Sequence, residues 1–136
     1  MSIAVQWFDE EKSVICWVFD PTWTWLDYAA AQRESAELMQ GIDYPVYVIG
    51  DVTNSPTLPA NALSAYRVAI KDTLPIVDLI VLVGSSTFVK AMVRMMMKFL
   101  PENLAGANFT FADTVEDACT TIQQYRHPHQ QPCPRS

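Results

Sequence analysis

The segment Val46-Tyr-Val-Ile-Gly-Asp51 decides the predicted fold. Its apolar, β-branched and aromatic residues follow one another without a break until the Gly-Asp ending. A run of this length and composition predicts a strand that is buried on both faces, as in a sheet covered by helices. The polar segment 52–61 should therefore emerge at the carboxyl end of that strand, where open α/β sheets place their ligand crevices.

Strands and helices alternate through the rest of the chain. In order, we predict strands over 3–8 and 14–19, a helix over 23–40, the strand 46–51, a helix over 59–73, a strand over 78–83, a helix over 87–100, a strand over 108–111 and a last helix from 113 to about 126. The expected inner face of the first helix is Trp25, Tyr28, Ala29, Gln32, Ala36 and Met39, and that of the last is Val115, Ala118, Cys119, Ile122 and Tyr125.

This order, ββαβαβαβα, predicts an α/β fold with a mixed, mostly parallel sheet. The first two strands should pair as an antiparallel hairpin, and the others should be joined by right-handed crossovers through the covering helices. We expect one domain over residues 1–126. The segment 127–136 is too polar and proline-rich to fold and is predicted to be a disordered tail.

Composition limits the function classes. Of 136 residues, 50% are hydrophobic and 18% charged, which is typical of a globular domain. The net charge of −6 argues against a nucleic-acid-binding protein, which needs a basic surface. No apolar run reaches the roughly 20 residues of a membrane span. Three cysteines without a disulfide spacing favour a reducing compartment, so we expect a cytoplasmic location.

Polar side chains are concentrated at the exit of the strand 46–51: Asp51, Thr53, Asn54 and Ser55. Their carboxylate, amide and hydroxyl groups suit a small-ligand, phosphorylation or partner site in the crevice. The same residue types also form Asx and Ser/Thr turns, in which a side chain bonds to the nearby backbone. Both interpretations stay open at this point.

A second polar group, Ser85, Ser86 and Thr87, follows Gly84 before the helix 87–100. The free N–H groups and the dipole at a helix start attract anions, and Lys90 lies within the first turns. Neither the phosphate-loop pattern nor the dinucleotide-binding glycine pattern is present. A serine N-cap would explain the same residues without a ligand.

The helix 87–100 is the best candidate for a partner surface. Its three cations recur every four residues, whereas apolar residues occupy about two thirds of its circumference, more than a helix on one sheet face usually buries. Methionines suit adaptable interfaces. The predicted face, for an unknown protein partner or a homodimer, consists of Lys90, Val93, Arg94, Met97, Lys98 and Leu100. The alternative is that neighbouring helices cover the apolar residues that do not face the sheet.

The residues that most often carry catalysis are poorly placed. Both histidines, His127 and His129, lie in the predicted tail with Cys133, without the spacing of a metal site. We therefore expect no catalytic residues, no metal and no cofactor. The rival hypothesis is an enzyme that uses Asp51 together with the hydroxyls of residues 85–87.

The predicted hairpin, the strand ending in an acid, the polar loop and the second apolar strand with its Ser/Thr-rich turn resemble a known family. This is the STAS domain of anti-sigma-factor antagonists and of sulphate transporters, with its SpoIIAA-like relatives. Asp51 matches the acid that ends the family's central strand. The phosphorylated Asp-Ser-Ser-Gly of the family is replaced by Ser55-Pro-Thr-Leu-Pro-Ala-Asn61, in which Ser55 is the nearest hydroxyl. The long first helix with Trp23 and Trp25 is more similar to the SpoIIAA-like branch.

The resemblance implies a non-catalytic regulatory or binding module that acts through protein–protein contacts. The SpoIIAA-like branch is also similar to the lipid-binding CRAL-TRIO domains. It therefore implies an alternative, a small-molecule or lipid carrier whose tryptophans and methionines line a cavity.

Overall fold

A computed structural model of the chain describes residues 3–55, 57, 59–61, 64–65, 77–99 and 108–125. Its elements are β1 (Ile3–Trp7), β2 (Val14–Phe19), α1 (Trp25–Leu38), β3 (Val46–Asp51), β4 (Val77–Val83), α2 (Thr87–Phe99), β5 (Asn108–Ala112) and α3 (Val115–Tyr125). Residues 64–65 are helical, but most of the helix predicted over 59–73 lies outside the described residues, as do Leu100 and the predicted tail.

The five strands form one sheet in the order β1-β2-β3-β4-β5. The hairpin strands β1 and β2 are antiparallel, and each later strand is parallel to its neighbour. The central pairing sets Ile49 beside Val81 and Asp51 beside Val83. The predicted α/β class with a mixed, mostly parallel sheet is therefore confirmed.

One face of the sheet packs against α1. Because side chains alternate along a strand, Ile15, Trp17, Val46 and Val48 point to this face, where Ala31 of α1 is buried against them. Ile3, Val5 and Trp7 of β1 belong to the same cluster, as their alternation predicts. This cluster holds most of the aromatic side chains of the core.

The opposite face packs against α3. It is formed by the intervening strand residues Val14, Cys16, Tyr47, Ile49, Leu79, Val81 and Val83. Ala118 and Ile122 of α3 are fully buried against them, with Val115 and Cys119 at the margin. The predicted inner face of this helix is thus confirmed for these four residues, whereas Tyr125 is 43% exposed with its ring against Tyr47.

Helix α2 lies on the same face as α1. The guanidinium carbon of Arg94 is 5.2 Å from the centre of the Phe111 ring. Phe111 pairs with Leu82, and Leu82 points to the same face of the sheet as Ile80, two residues earlier in β4. Ile80 packs against the cluster covered by α1. The connections β2–α1–β3 and β4–α2–β5 run in the same direction along the sheet and lie on the same face. They therefore have the same hand, as the right-handed rule requires.

Helix α1 begins two residues later than predicted. Thr24 is its N-cap and forms a capping box with Asp27, which supplies a stronger start signal than Asp20-Pro21-Thr22. Of the predicted inner face, Trp25, Tyr28 and Met39 pack in the sheet cluster, whereas Ala29, Gln32 and Ala36 are half-buried and Ala31 and Ser35 are buried in their place. The buried hydroxyl of Ser35 accepts a hydrogen bond from Trp17 Nε1 at 2.8 Å.

Helix α3 is capped one residue later than predicted. Thr114 Oγ1, not Asp113, accepts the bond from the Asp117 backbone N–H at 3.0 Å. At the other end of the sheet, the turn between β1 and β2 is held by the buried carboxylate of Asp9. Its Oδ1 accepts from the backbone N–H groups of Ser13 and Val14 at 2.9 and 3.1 Å.

The exits of β3 and β4 are in direct contact. The Val52 N–H donates to the Val83 carbonyl at 3.0 Å, which extends the pairing beyond the end of β3. Gly84 then turns with φ +70, and a Cβ placed on it would lie 2.2 Å from Thr53 Oγ1 and 3.0 Å from Thr53 Cα. Only glycine accommodates both the left-handed backbone and this approach.

Gly84→Ala should therefore destabilise the protein by about 2–4 kcal/mol, the combined cost of a left-handed alanine and of a steric overlap. Gly41→Ala is the matched control, because Gly41 also has a positive φ (+79) but has no atom within 4 Å of the position that a Cβ would occupy. Its expected cost is about 1–2 kcal/mol. Equal losses in urea unfolding would contradict the close contact between the two exits.

Candidate functional site

The predicted site residues gather at the carboxyl edge of the sheet. Asp51, Thr53, Asn54 and Ser55 follow β3, and Ser85, Ser86 and Thr87 follow β4. The two groups are neighbours because β3 and β4 are parallel and Thr53 touches the backbone at Gly84. The structure thus brings together the two segments that the sequence singled out.

The Asp51 carboxylate forms a turn with the next residues. Its Oδ1 accepts from the Thr53 N–H at 3.0 Å and from Thr53 Oγ1 at 2.6 Å. Asp51 is half-buried, whereas Thr53 and Asn54 are exposed. One carboxylate oxygen is therefore occupied by the local Asx turn, the structural alternative that the residue types favoured.

Ser55 is a structural residue in this arrangement. It is buried, and its hydroxyl accepts from Trp23 Nε1 at 2.7 Å and donates to the Thr57 carbonyl at 3.2 Å. The bond to Trp23 ties the loop after β3 to the segment before α1. As a phosphorylation candidate, Ser55 therefore offers no accessible hydroxyl without local opening.

The segment 85–87 forms the start of α2. Ser86 Oγ accepts from the Val89 N–H at 3.1 Å, and the Ser86 carbonyl accepts from the Lys90 N–H at 2.9 Å, so Ser86 is an N-cap. Thr87 is exposed. Ser85 Oγ is shielded from solvent and has no hydrogen-bond partner among the described residues. The N-cap alternative accounts for Ser86, but not for the hydroxyl of Ser85.

Two of the hydroxyls at this edge are engaged in local hydrogen bonds. The hydroxyl of Thr53 donates to Asp51, and that of Ser55 donates to a backbone carbonyl. Across the described ranges, no three His, Cys, Asp or Glu side chains are grouped to hold a metal. His127, His129 and Cys133 lie outside these ranges. The edge of the sheet therefore provides turn and cap geometry together with one enclosed hydroxyl.

Helix α2 presents an apolar surface to solvent. Val89 and Met96, seven residues apart, form its buried line. Phe88 and Met95, also seven residues apart, are 51% and 42% exposed on an adjacent line. Such large exposed side chains in one helical row differ from scattered single ones, which are common on any surface.

The cations of α2 border this apolar row. Arg94 and Lys98 are exposed, and Lys90 is half-buried. The Arg94 guanidinium makes a cation–π contact with the Phe111 ring, which restricts the freedom of its side chain. The exposed surface of α2, which we call the α2 face, is defined by Phe88, Ala91, Arg94, Met95 and Lys98.

The predicted partner face coincides only in part with the α2 face. Val93 is half-buried, and Leu100 and the side chain of Met97 lie outside what the structure describes. Phe88 and Met95 were not singled out from the sequence. Apolar residues occupy so much of this helix that the line facing the sheet could not be read from periodicity alone.

The aromatic cluster beneath α1 is closely packed. The rings of Trp17, Phe19, Trp23, Trp25 and Tyr28 are joined by contacts of 4.9–6.2 Å between centroids. Trp17 and Trp23 donate to buried serine hydroxyls, and Trp25 Nε1 donates to the Ala60 carbonyl at 3.2 Å. These rings satisfy their polar groups within the protein, and burial raises the pKa of Tyr28 above its ordinary value.

Cys16 lies beneath the Asp51 turn, on the face covered by α3. Burial first, and then the nearby Asp51 and Cys119, raise the pKa of its thiol from 9.0 to about 11. Neither Cys16 nor Cys119 forms a disulfide bond. A thiol with a raised pKa is a weak nucleophile at neutral pH, so Cys16 acts as a small apolar core residue.

No protein-family model, curated protein or solved structure matches this chain. Among the described helices, none has the length and apolar character needed to cross a membrane.

The Cys16 thiol predicts a pH dependence of stability. Since the folded pKa is raised, the unfolded chain loses this proton first, and the free energy of unfolding should fall as the pH rises from about 9 to about 11. The contribution is at most about 1.4 kcal/mol per pH unit. Urea unfolding across this range should show a shallower fall for Cys16→Ala.

Cys119→Ala is the control, because Cys119 is the smallest cause of the shift and its removal should leave most of the fall. The pKa of Tyr28 is also raised in the folded protein, so the free energy of unfolding falls at higher pH in every variant. The comparison therefore uses differences from the unmodified chain. Parallel curves for the unmodified chain and Cys16→Ala would contradict a protonated, buried thiol.

Proposed function

We propose that this chain is a non-catalytic regulatory or binding module that acts through protein–protein contact at the α2 face. The observation that carries the proposal is the row of Phe88 and Met95, both about half exposed, beside the exposed cations Arg94 and Lys98. Interfaces are enriched in Phe, Met and Arg, and an apolar centre with a charged rim is their usual composition.

A relationship to the STAS and SpoIIAA-like domains remains part of this proposal. It is supported by the antiparallel hairpin at one edge, the parallel strands that follow, and the position of Asp51 at the end of the central strand. The cytoplasm is the proposed location, because it would keep the thiols of Cys16 and Cys119, which form no disulfide bond, reduced.

The carrier alternative has weaker support. A carrier of this type requires tryptophans that line a cavity, yet three of the four indoles pack against other rings and use their N–H groups inside the protein. Native mass spectrometry of the purified protein distinguishes the two proposals. The binding-module proposal expects the mass of the bare polypeptide, and the carrier proposal expects a retained ligand.

The α2 face is tested by the double substitution Phe88→Glu with Met95→Glu in a tagged full-length chain. Purification from the cells of origin, with quantitative mass spectrometry, should show one or more proteins bound to the unmodified chain and reduced at least tenfold by the substitutions. Exposed sites tolerate such changes, so the free energy of unfolding should change by less than about 0.5 kcal/mol for each substitution.

Leu26→Glu is the matched control, because Leu26 is 82% exposed and belongs to a different helix, α1. It should retain the same bound proteins. Sedimentation analysis of the unmodified chain, the double variant and Leu26→Glu tests whether the partner is a second copy. A dimer formed through the α2 face would dissociate only in the double variant. Bound proteins and assembly unaffected by the double substitution would contradict the proposal.

A further inference from the structure

The charge and shape of the α2 face identify the chemistry of its partner, which is an inference that rests on the proposed function. We propose that the α2 face binds an acidic protein segment, in which Asp or Glu side chains engage Arg94 and Lys98 while apolar side chains contact Phe88 and Met95. Charge complementarity, preorganisation of one arginine and the geometry of the helix support this inference.

The charge of α2 is opposite to that of the rest of the protein. Between Gly84 and Phe99 there are three cations and no acidic residue. The whole chain has a net charge of −6, so the remainder carries −9. A segment of uniform positive charge in an acidic protein attracts acidic partners to one location and repels them elsewhere, which orients the encounter.

The cations and the apolar side chains form one continuous surface. At the helical spacings of three and four residues, Phe88 adjoins Ala91 and Ala91 adjoins Met95. Ala91 also adjoins Arg94, and Arg94 in turn adjoins Lys98. All five are exposed, and the small side chain of Ala91 lies between the apolar and the basic rows. A single partner segment lying along the helix can contact both rows.

Arg94 is already held in place for binding a carboxylate. Its guanidinium lies over the Phe111 ring at 5.2 Å, yet the residue is exposed. The guanidinium is planar, and two of its N–H donors can bond one carboxylate. Because its side chain freedom is already reduced, less entropy is lost on binding.

A second copy of the chain is less suitable for this surface. A symmetric dimer would bring each α2 face against an identical one, and both carry only positive charge. Like charges across an interface are destabilising. An acidic segment of another protein has no such penalty, and the surface favours it over self-association.

An anionic membrane is the other class of surface with negative charge. Lipid recognition usually involves a cluster of about 4–8 basic residues, each worth about 1 kcal/mol. The three cations of α2 fall below that range, and one of them, Lys90, is half-buried. The net negative charge of the remainder further opposes approach to an anionic bilayer. A protein segment is therefore favoured.

The test is selection from a phage-displayed library of random 14-residue peptides on the full-length, unmodified chain at 150 mM NaCl. Binders are counted as specific to the α2 face when Phe88→Glu with Met95→Glu abolishes their binding. These peptides should be enriched in Asp and Glu together with large apolar residues. Their affinity should fall about tenfold or more for Arg94→Glu with Lys98→Glu.

Two further variants distinguish the effect of the charges on the α2 face from a general effect of charge or of folding. Arg33→Glu reverses an exposed cation on α1 and should leave the affinity within about twofold. Arg94→Lys keeps the charge but loses the bidentate geometry, and should weaken binding by a few-fold. Circular dichroism of each variant verifies that the helices remain formed.

The outcomes distinguish this inference from the proposed function. Specific binders that are neutral or basic would overturn the acidic-partner inference and leave the α2 face as a binding surface. A library that yields no peptides dependent on Phe88 and Met95 would count against both. Binding at 150 mM NaCl to phosphatidylcholine vesicles containing 30% phosphatidylserine, lost in Arg94→Glu with Lys98→Glu, would replace the protein partner with a lipid surface.

Discussion

The parallel pairing of β3 with β4 is the interaction on which the rest of the structure depends. These strands carry the apolar residues that both helical layers cover, with Val48 facing α1 and Ile49 and Val81 facing α3. Their alignment also places the two polar exits at one edge. The bond from Val52 to the Val83 carbonyl and the contact of Thr53 with Gly84 then hold these exits together.

The polar residues at this edge mainly support the fold. Asp51 is engaged by Thr53, Ser55 connects to Trp23, and Ser86 caps α2. Ser86 sets where α2 begins, and the helix buries Val89 and Met96 while Phe88 and Met95 stay exposed. The residues of the predicted crevice thus form turns and a helix cap, and the proposed binding surface lies on the helix that follows them.

The sequence was sufficient for the sheet because strand signals are local. The unbroken apolar runs ending at Asp51 and Val83 correctly predicted two neighbouring central strands, and the alternation of Ile3, Val5 and Trp7 correctly predicted the first strand of the hairpin. The side of each helix that faces the sheet was harder to predict from the sequence. Ser35 is polar yet buried because Trp17 needs an acceptor, and nothing near Ser35 in the sequence identifies that tryptophan. On α2, nearly continuous apolar character concealed which row faces the sheet, so the exposure of Phe88 and Met95 required the structure.

The most direct test of this account is native-state amide hydrogen exchange, read residue by residue. The account predicts that the amides of Val48, Ile49 and Val81 exchange most slowly, near the limit set by global unfolding. The Val52 amide should be protected with them although it lies beyond the strand, because it bonds to the Val83 carbonyl. Exchange of Val52 as fast as that of exposed Asn54, together with strand amides no slower than those of edge strand β1, would contradict the central pairing.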